Sequence, residues 1–485
     1  MITILIIIIA TALIVQALVG LSFFISSIWE QEKRASWYGA FQLFGMIFLV
    51  IIFFYLYSNE FYSTTLGVTL LSVLLIFGGV LPFLLFRKTS PNMKALEGTK
   101  GLITKDVSRF DERDHVFSRN RSLPVDSKQY KAYYLDHPDL EELDSKRRQK
   151  GGPIGRPGSI DSPNADANIA ATLASLSMPH FLSTPDQYCP KPHIALQEKL
   201  AIKKVVITPE EATTRLKGYA KALGASLVGT TKINPLWIYS HRGEIFNGNW
   251  EDWGEKINLS HTYAIVCAEE MNSAMVGSAP HTPTCIESMM NYAKGAYITT
   301  QLAGYIANLG YSATANHFRH YDTLLPPIAV DAGLGEVGRL GYLITKKYGP
   351  RIRLSLVTTD LPLLQDKPVD IGVEDFCKIC KKCAVCCPSK SISQDDITVS
   401  NGLVRWKLNA QSCFEYWGKV GTDCNVCMNV CPWSHADTFP HQIIKTLITR
   451  NGLSRRLFNL MDDIFYGKRP KPKSPVNWAK FGPWK

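Results

Sequence analysis

The chain has 485 residues, of which 46% are hydrophobic and 20% charged, with 12 cysteines; that length suits about three domains, and it excludes the small secreted scaffold for which disulfides would be the natural use of so many thiols. The formal net charge is +11, which fits either a nucleic acid or an anionic membrane surface as partner. Apolar runs at the N-terminus favour the membrane, and no nucleic-acid-binding motif is present, so no nucleic-acid partner is expected.

Three uncharged runs open the sequence, at 2–29, 37–59 and 61–86. Each exceeds the ~20 residues that a helix needs to cross a bilayer. The first has no basic n-region and is too long for the apolar stretch of a signal peptide, and a twin-arginine pair is missing from the N-terminus. Residues 1–89 therefore read as three retained transmembrane helices. Lys33 and Arg34 lie in the first loop, the second holds only Glu60, and Arg87, Lys88 and Lys94 follow the third run. The positive-inside rule then puts the first loop and everything after the third run on the cytoplasmic side.

Residues 90–165 read as a connector and extended arm, dense in charge and closed by the breaker-rich stretch 151–158. A globular pattern occupies 166–365. Thr208 and Pro209 form a helix start, with the threonine as N-cap and the proline in the first turn. A helix over 292–309 places Leu302, Tyr305, Ile306 and Leu309 on one face and stops at Gly310. Runs at 205–207, 263–266, 327–330, 343–345 and 352–358 read as strands. Helices alternating with strands predict an α/β or α+β core.

Residues 366–435 carry the strongest signal. Cys377, Cys380, Cys383 and Cys387 fall in a C-x2-C-x2-C-x3-C-P run, and Cys413, Cys424, Cys427 and Cys431 in C-x10-C-x2-C-x3-C-P. Such sets hold iron–sulfur clusters, and in the bacterial ferredoxin pattern the last cysteine of each set ligates the other cluster. The expected ligands are Cys377, Cys380, Cys383 and Cys431 for one [4Fe–4S] cluster, and Cys413, Cys424, Cys427 and Cys387 for the second. Cys386 is left over and reads as a small buried residue. Residues 436–485 form a C-terminal tail.

Gly333-Leu-Gly335-Glu336-Val-Gly338 has the G-x-G-x-x-G form, but no clear helix follows it, so a dinucleotide fold is not expected. A turn in which Gly333, Gly335, Glu336 and Gly338 approach a cofactor is preferred. This stretch, Asp331 to Arg339, comes after Tyr292-Ala-Lys-Gly-Ala-Tyr and before Tyr348-Gly-Pro-Arg351-Ile-Arg353, Thr359-Asp-Leu-Pro-Leu and the cysteines. In that order the motifs resemble the corrinoid-dependent reductive dehalogenases. Asp111-Glu-Arg-Asp and Tyr133-Tyr-Leu-Asp-His-Pro resemble the family's N-terminal arm, and the first 86 residues its separate small membrane-anchor subunit.

The resemblance implies an α/β, nitroreductase-like core holding a base-off cobalamin, followed by a bacterial-ferredoxin-like domain with two [4Fe–4S] clusters. Lack of an Asp-x-His-x-x-Gly ligand motif is compatible with base-off binding. The implied activity is replacement of a halogen by hydrogen in an organohalide, fed by a low-potential donor: ferredoxin, flavodoxin or a quinol-linked source. The implied proton donor is Tyr292. Arg351 is the first choice for a cation beside it, then Arg353, with Asn316 as a further polar contact. Tyr239, Trp250 and Trp253 are candidates for an aromatic pocket or for core packing, and His317 and His320 for metal or surface. Two other functions fit part of the pattern. An epoxyqueuosine reductase shares the cofactors, but the spans and the arm argue against it. A membrane electron carrier without catalytic activity would not need the roughly 280 residues between anchor and clusters.

Overall fold

The structure is a computed structural model that describes residues 2–105, 107–150, 166–183, 204–245 and 250–480. The breaker-rich stretch 151–158 and the side chain of Trp250 lie outside the described residues. The chain divides into two compact units: Met1–Pro91 with Ile371–Cys380 and His435–Lys471, and Asn92–Asp370 with Lys381–Ser434 and Pro472–Lys485. The expected ferredoxin-like segment is thus shared out. Cys377 and Cys380 belong to the first unit, and the other six expected ligands to the second.

In the first unit, α1 (Ile2–Trp29), α2 (Lys33–Ser58) and α3 (Thr65–Phe86) are each long and apolar enough to cross a membrane. The second helix starts four residues before the apolar run, because Lys33 and Arg34 are good helix formers that keep their charges at its end. The third starts later than its run: residues Phe61–Ser63 make a 3-10 turn, and the Thr64 hydroxyl accepts the Gly67 amide at 3.1 Å as N-cap.

The second unit is built on a four-stranded sheet of β1 (Leu227–Lys232), β2 (Tyr263–Glu270), β3 (Ala313–Asn316) and β6 (Ile352–Thr359) in the order β1-β2-β6-β3. Every pairing is antiparallel. That corrects the α/β expectation towards α+β, although helices cover both faces. Along β2 the side chains alternate between two cores. Ile265 and Cys267 pack under the Pro209–Ala222 and Thr282–Asn308 helices, whereas Ala264, Val266 and Ala268 pack with Trp237 and the Leu325–Asp331 helix. A strand covered on both sides reads as a continuous apolar run. β4 (Glu336–Val337) and β5 (Leu343–Ile344) form one small hairpin, β7 (Thr398–Ser400) and β8 (Leu403–Arg405) another.

Three sequence expectations change. Residues 327–330 are not a strand but the middle of the Leu325–Asp331 helix, opened by two prolines in its first turn. Residues 205–207 are extended without pairing into the sheet. The helix expected over 292–309 begins ten residues earlier, at Thr282, with Pro283 in its first turn. Its N-cap, Thr208 apart, follows a different logic from the 209 helix: Thr208 accepts the Glu211 amide at 3.2 Å, while His281 makes no side-chain cap. The arm is packed into the second unit. Glu112 is buried and accepts the amides of Gly243 and Glu244, and Trp253 sits in a core with Tyr130, Tyr133 and Tyr134, which makes it packing rather than pocket lining.

Candidate active site and thiol site

Extension of the long helix turns Tyr292 from a helix-start residue into a mid-helix one. Ser288 and Tyr292, four apart, share a face. β6 presents Arg353 to that face, since residues 353, 355 and 357 point opposite to 352, 354 and 356. The Arg353 guanidinium carbon stands 5.1 Å from the Tyr292 ring centre. Its Nη2 donates to Ser288 Oγ at 2.6 Å and to Asp423 Oδ2 at 3.1 Å. Phe318 stacks on the tyrosine ring, with centroids 4.3 Å apart and planes 19° from parallel.

Arg353 therefore holds the position expected first for Arg351. Arg351 precedes β6 and is buried elsewhere: Nε donates to Ser434 O at 2.6 Å, and Nη1 reaches Met271 O and Glu270. It fastens the segment that follows Cys431. Gly349 works beside it. At φ +59° its Cβ position would lie 2.4 Å from Trp433 O, so only glycine lets that backbone in.

Arg353 Nε and Asp423 Oδ1 are buried without a hydrogen-bond partner among the described residues. Burial raises the tyrosine above the usual phenol range; Arg353 pulls it down and Asp423 pushes it up. The expected acidification by a guanidinium is present but is outweighed by desolvation.

Other candidates are accounted for by structure. Asn316 is buried, with Oδ1 accepting Asp322 N at 2.8 Å and Nδ2 donating to Thr314 O at 3.1 Å, so it closes the end of β3. Space at two of the glycines is filled by the protein's own backbone: a Cβ would meet Lys367 O at 2.5 Å from Gly333 and Ile344 O at 2.1 Å from Gly335. Gly338 N donates to Tyr342 O in a turn, and Glu336 is buried in the β4–β5 hairpin. The Cβ side of the turn is thus packed against the protein's own backbone at Gly333 and Gly335. Tyr239 is buried core, and His317 and His320 pair through their backbones at 2.7 and 2.9 Å.

The thiols of Cys387, Cys413, Cys424 and Cys427 form one mutually interacting set. Burial, then the neighbouring thiol of Cys387, pushes Cys413 up to about 11. Burial, and then Cys413 and Cys387 among others, pushes Cys424 up to about 12, and Cys427 goes well above the ordinary thiol value for the same reasons. Left alone, such thiols stay protonated. A polycationic guest reverses this, and an all-sulfur donor set suits an iron–sulfur cluster. Local backbone serves the set: Asn425, just after Cys424, is left-handed at φ +53°, and Lys381 takes φ +53° just after Cys380. Each opens the short helix that carries the next cysteine, Cys427 and Cys383 respectively.

Asp423, missed in the sequence, links the two parts. It directly precedes Cys424, and with Asn425 it docks on Ser288 and Thr284 of the long helix. Its position next to Cys424, an expected ligand, was the signal in the sequence. Tyr342, also missed, packs on Met271, Val276 and Met428, and its hydroxyl feels burial first and then Cys427, Cys413, Arg353 and Tyr292.

No protein-family profile matches the chain. It is 30% identical over 292 residues to a tetrachloroethene reductive dehalogenase of Sulfurospirillum multivorans, covering 54% of this chain and 58% of that protein. A tetrachloroethene reductive dehalogenase of Dehalobacter restrictus is 30% identical over 280 residues, covering 49% and 50%. The chain thus spans about half the length of the curated relatives it matches. An epoxyqueuosine reductase of Cyclobacterium marinum is similar over 120 residues only, at 32% identity and 24% of this chain. Two solved structures share the fold. A catabolic reductive dehalogenase, NpRdhA, in complex with 3-bromo-4-hydroxybenzoic acid, superposes with TM-score 0.59 and 23% identity over 83% of this chain and 55% of its own. A reductive dehalogenase described in terms of B12-dependent dehalogenation gives 0.58 and 23%, over 83% and 54%. Over about half of the chain the relatives are thus reductive dehalogenases, and the solved structures share its fold.

Arg353→Gln removes the cation that lowers Tyr292 and leaves the Asp423 charge that raises it. The Tyr292 titration midpoint should therefore move further up. Tyrosinate absorbance against pH, taken as a difference from Tyr292→Phe, reads the shift; a downward move would contradict the geometry.

Proposed function

We propose that the chain is a membrane-anchored reductive dehalogenase, with two [4Fe–4S] clusters on the eight paired cysteines and a cobalamin beside Tyr292. The observation that carries this reading is the unbroken link from the thiol set to the tyrosine: Cys424, the adjoining Asp423, Arg353, then the Tyr292 ring. The open polar atoms of Arg353 and Asp423 suit a polar-edged ligand there.

When bound, the corrinoid and clusters supply the two electrons that cleave the carbon–halogen bond. This chain's own residues do the rest. Tyr292 donates the hydroxyl proton to the carbon that loses halide, so an organohalide, two electrons and one proton give the product with hydrogen in place of that halogen and a halide ion. Arg353 stabilises the phenolate left behind, and Ser288 and Asp423 fix the guanidinium in place. Phe318 holds the ring by stacking. A phenol raised by burial remains protonated through the neutral and mildly alkaline range, so the acid is loaded at working pH.

Tyr292→Phe keeps the ring and removes the proton. Turnover with an artificial low-potential donor should fall about 10²–10⁴-fold, with iron and cobalamin contents unchanged. In the unmutated protein, turnover should show no loss assignable to Tyr292 deprotonation until above pH ~10. Full turnover by the variant with both cofactors bound would remove Tyr292 from the role; Tyr297, exposed on another face, offers no substitute.

Anaerobic protein should contain about eight irons and eight acid-labile sulfides per chain. Cys386→Ala should leave both unchanged. A count near four irons, or stoichiometric zinc, would refute the two-cluster assignment.

The catalytic part is proposed to face the cytoplasm, on the strength of Lys33, Arg34, Arg87 and Lys88. A reporter active only outside the cytoplasm, fused after residue 95, should stay silent; strong activity there reverses the orientation.

A further inference from the structure

The first unit contains one more helix whose surface its own fold leaves half covered. Gly452–Phe465 has 14 residues, about 21 Å of length. Its N-terminal end is tied to the last turn of α3: Asn451 Nδ2 donates to Leu84 O at 3.0 Å, Leu85 O at 3.0 Å and Arg87 O at 2.7 Å, and Ser454 Oγ to Leu85 O at 3.1 Å. Its C-terminal end is tied to the α1–α2 hairpin. The Phe465 ring lies 5.3 Å from that of Phe23 in α1 and 5.5 Å from that of Tyr38 in α2.

Those contacts fix its direction. A chain that crosses three times brings the end of α1, the start of α2 and the end of α3 to the same side. A helix fastened to the end of α3 at one tip and to the α1–α2 hairpin at the other must run across the bundle, not along it. Its depth follows too. Phe23 is six residues before the end of α1, about 9 Å by helical rise, and Leu84 and Leu85 belong to the last turn of α3. That is the level at which in-plane amphipathic helices sit, about 5–10 Å into the headgroup and acyl boundary.

The surface matches the level. Leu453, Leu457, Leu460 and Ile464, at i, i+4, i+7 and i+11, form one outward stripe, with Leu453, Leu460 and Ile464 exposed. Asp462 is buried on the opposite side, and Ser454, about a quarter turn from the stripe, is buried too. Trp29 and Trp37, both exposed, flank the adjacent loop, as tryptophans do at a membrane–water boundary. Lys468, Arg469 and Lys471 follow the helix on the side that also carries Lys33, Arg34, Arg87 and Lys88.

We infer that Gly452–Phe465 is an in-plane membrane helix, whose leucine stripe enters the lipid and whose basic flank meets anionic headgroups. The inference rests on reading α1–α3 as spans. Both tips of the helix touch the ends of those spans, and the basic flank sets the sign of the headgroup, so a bilayer is the occupant.

The test uses the full chain in vesicles of phosphatidylcholine with a minority of phosphatidylglycerol. p-Benzoylphenylalanine is placed singly at Leu460, at Asn459 on the polar edge, or at Phe77 in α3, then photolysed, and adducts are read by mass spectrometry. Leu460 should give lipid adducts at a yield near that of Phe77 and several-fold above Asn459. Phosphatidylglycerol should be enriched among the Leu460 adducts above its share of the vesicle, and the combined Lys468→Gln, Arg469→Gln and Lys471→Gln changes should abolish that enrichment. Lipid adducts at Phe77 without any at Leu460, or cross-links from Leu460 to a second copy of the chain, overturn the inference and leave the spans intact. No lipid adduct at either position overturns the spans as well. Adducts without phosphatidylglycerol enrichment overturn the anionic part.

Discussion

A buried guanidinium can be kept only where enough oxygen acceptors and counter-charge are gathered round it, and much of the second unit is arranged to satisfy that demand at Arg353. Its side chain is 12% exposed and that of Asp423 6%. Taking either partner away would strand the other in a poorly solvated site. To meet Arg353, three segments far apart in sequence must converge: β6, the long helix at Ser288, and the turn before Cys424. Once they do, Tyr292 lies under the guanidinium and the thiol-bearing turns are docked on the same helix. Site geometry thus follows from the ion pair's need for company.

The sheet supplies the precision. β6 lies between β2 and β3, and its register sets Arg353 opposite Glu269. Glu269 is itself buried, pushed up to about 8 by that burial and accepting from Ser355, so it is largely neutral company for the arginine near pH 7. A slip of one residue would send Arg353 to the other face. Close approach of helix and sheet needs Gly295, where a Cβ would lie 3.0 Å from the Ser355 side chain. Arg351, two positions earlier and just outside the strand, is drawn instead to the carbonyls of Met271 and Ser434. Two arginines of identical chemistry thus serve different ends, one facing the tyrosine and one holding the chain after Cys431.

The first unit is built differently. Its three long helices bury few of their own side chains and are long and apolar enough to cross a membrane, which is consistent with membrane anchoring. What is polar there collects at one level: Asn451 caps its own helix while donating to the carbonyls that end α3, and Arg455 ties the same helix to Asp375 at 2.9 Å. Backbone groups at the end of α3, which lack helical partners, are satisfied by a side chain from the C-terminal tail. The tail is therefore part of the three-helix unit's structure and not an appendage to it.

Spacing and period are short-range properties, and whatever depends on them was legible in the sequence: the two cysteine sets, three apolar helices, the Thr208 cap, the strands around 263 and 352, and the stop at Gly310. The tyrosine could be named because the order of motifs around it resembled a family, not because its own neighbours marked it. Partner choice was not legible. Whether Arg351 or Arg353 meets Tyr292 depends on where β6 begins; Asp423 matters only because its turn docks on Ser288; Gly333 and Gly335 pack their Cβ sides against the backbone of Lys367 and Ile344. The strand expected at 327–330 failed for a related reason, since a short apolar run fits a buried helix as well as a strand until its surroundings are known. Sequence alone determined which elements and which ligand-type residues exist. Only the tertiary structure decided which of them meet, because a buried charge selects its partners from segments the chain brings together over long range.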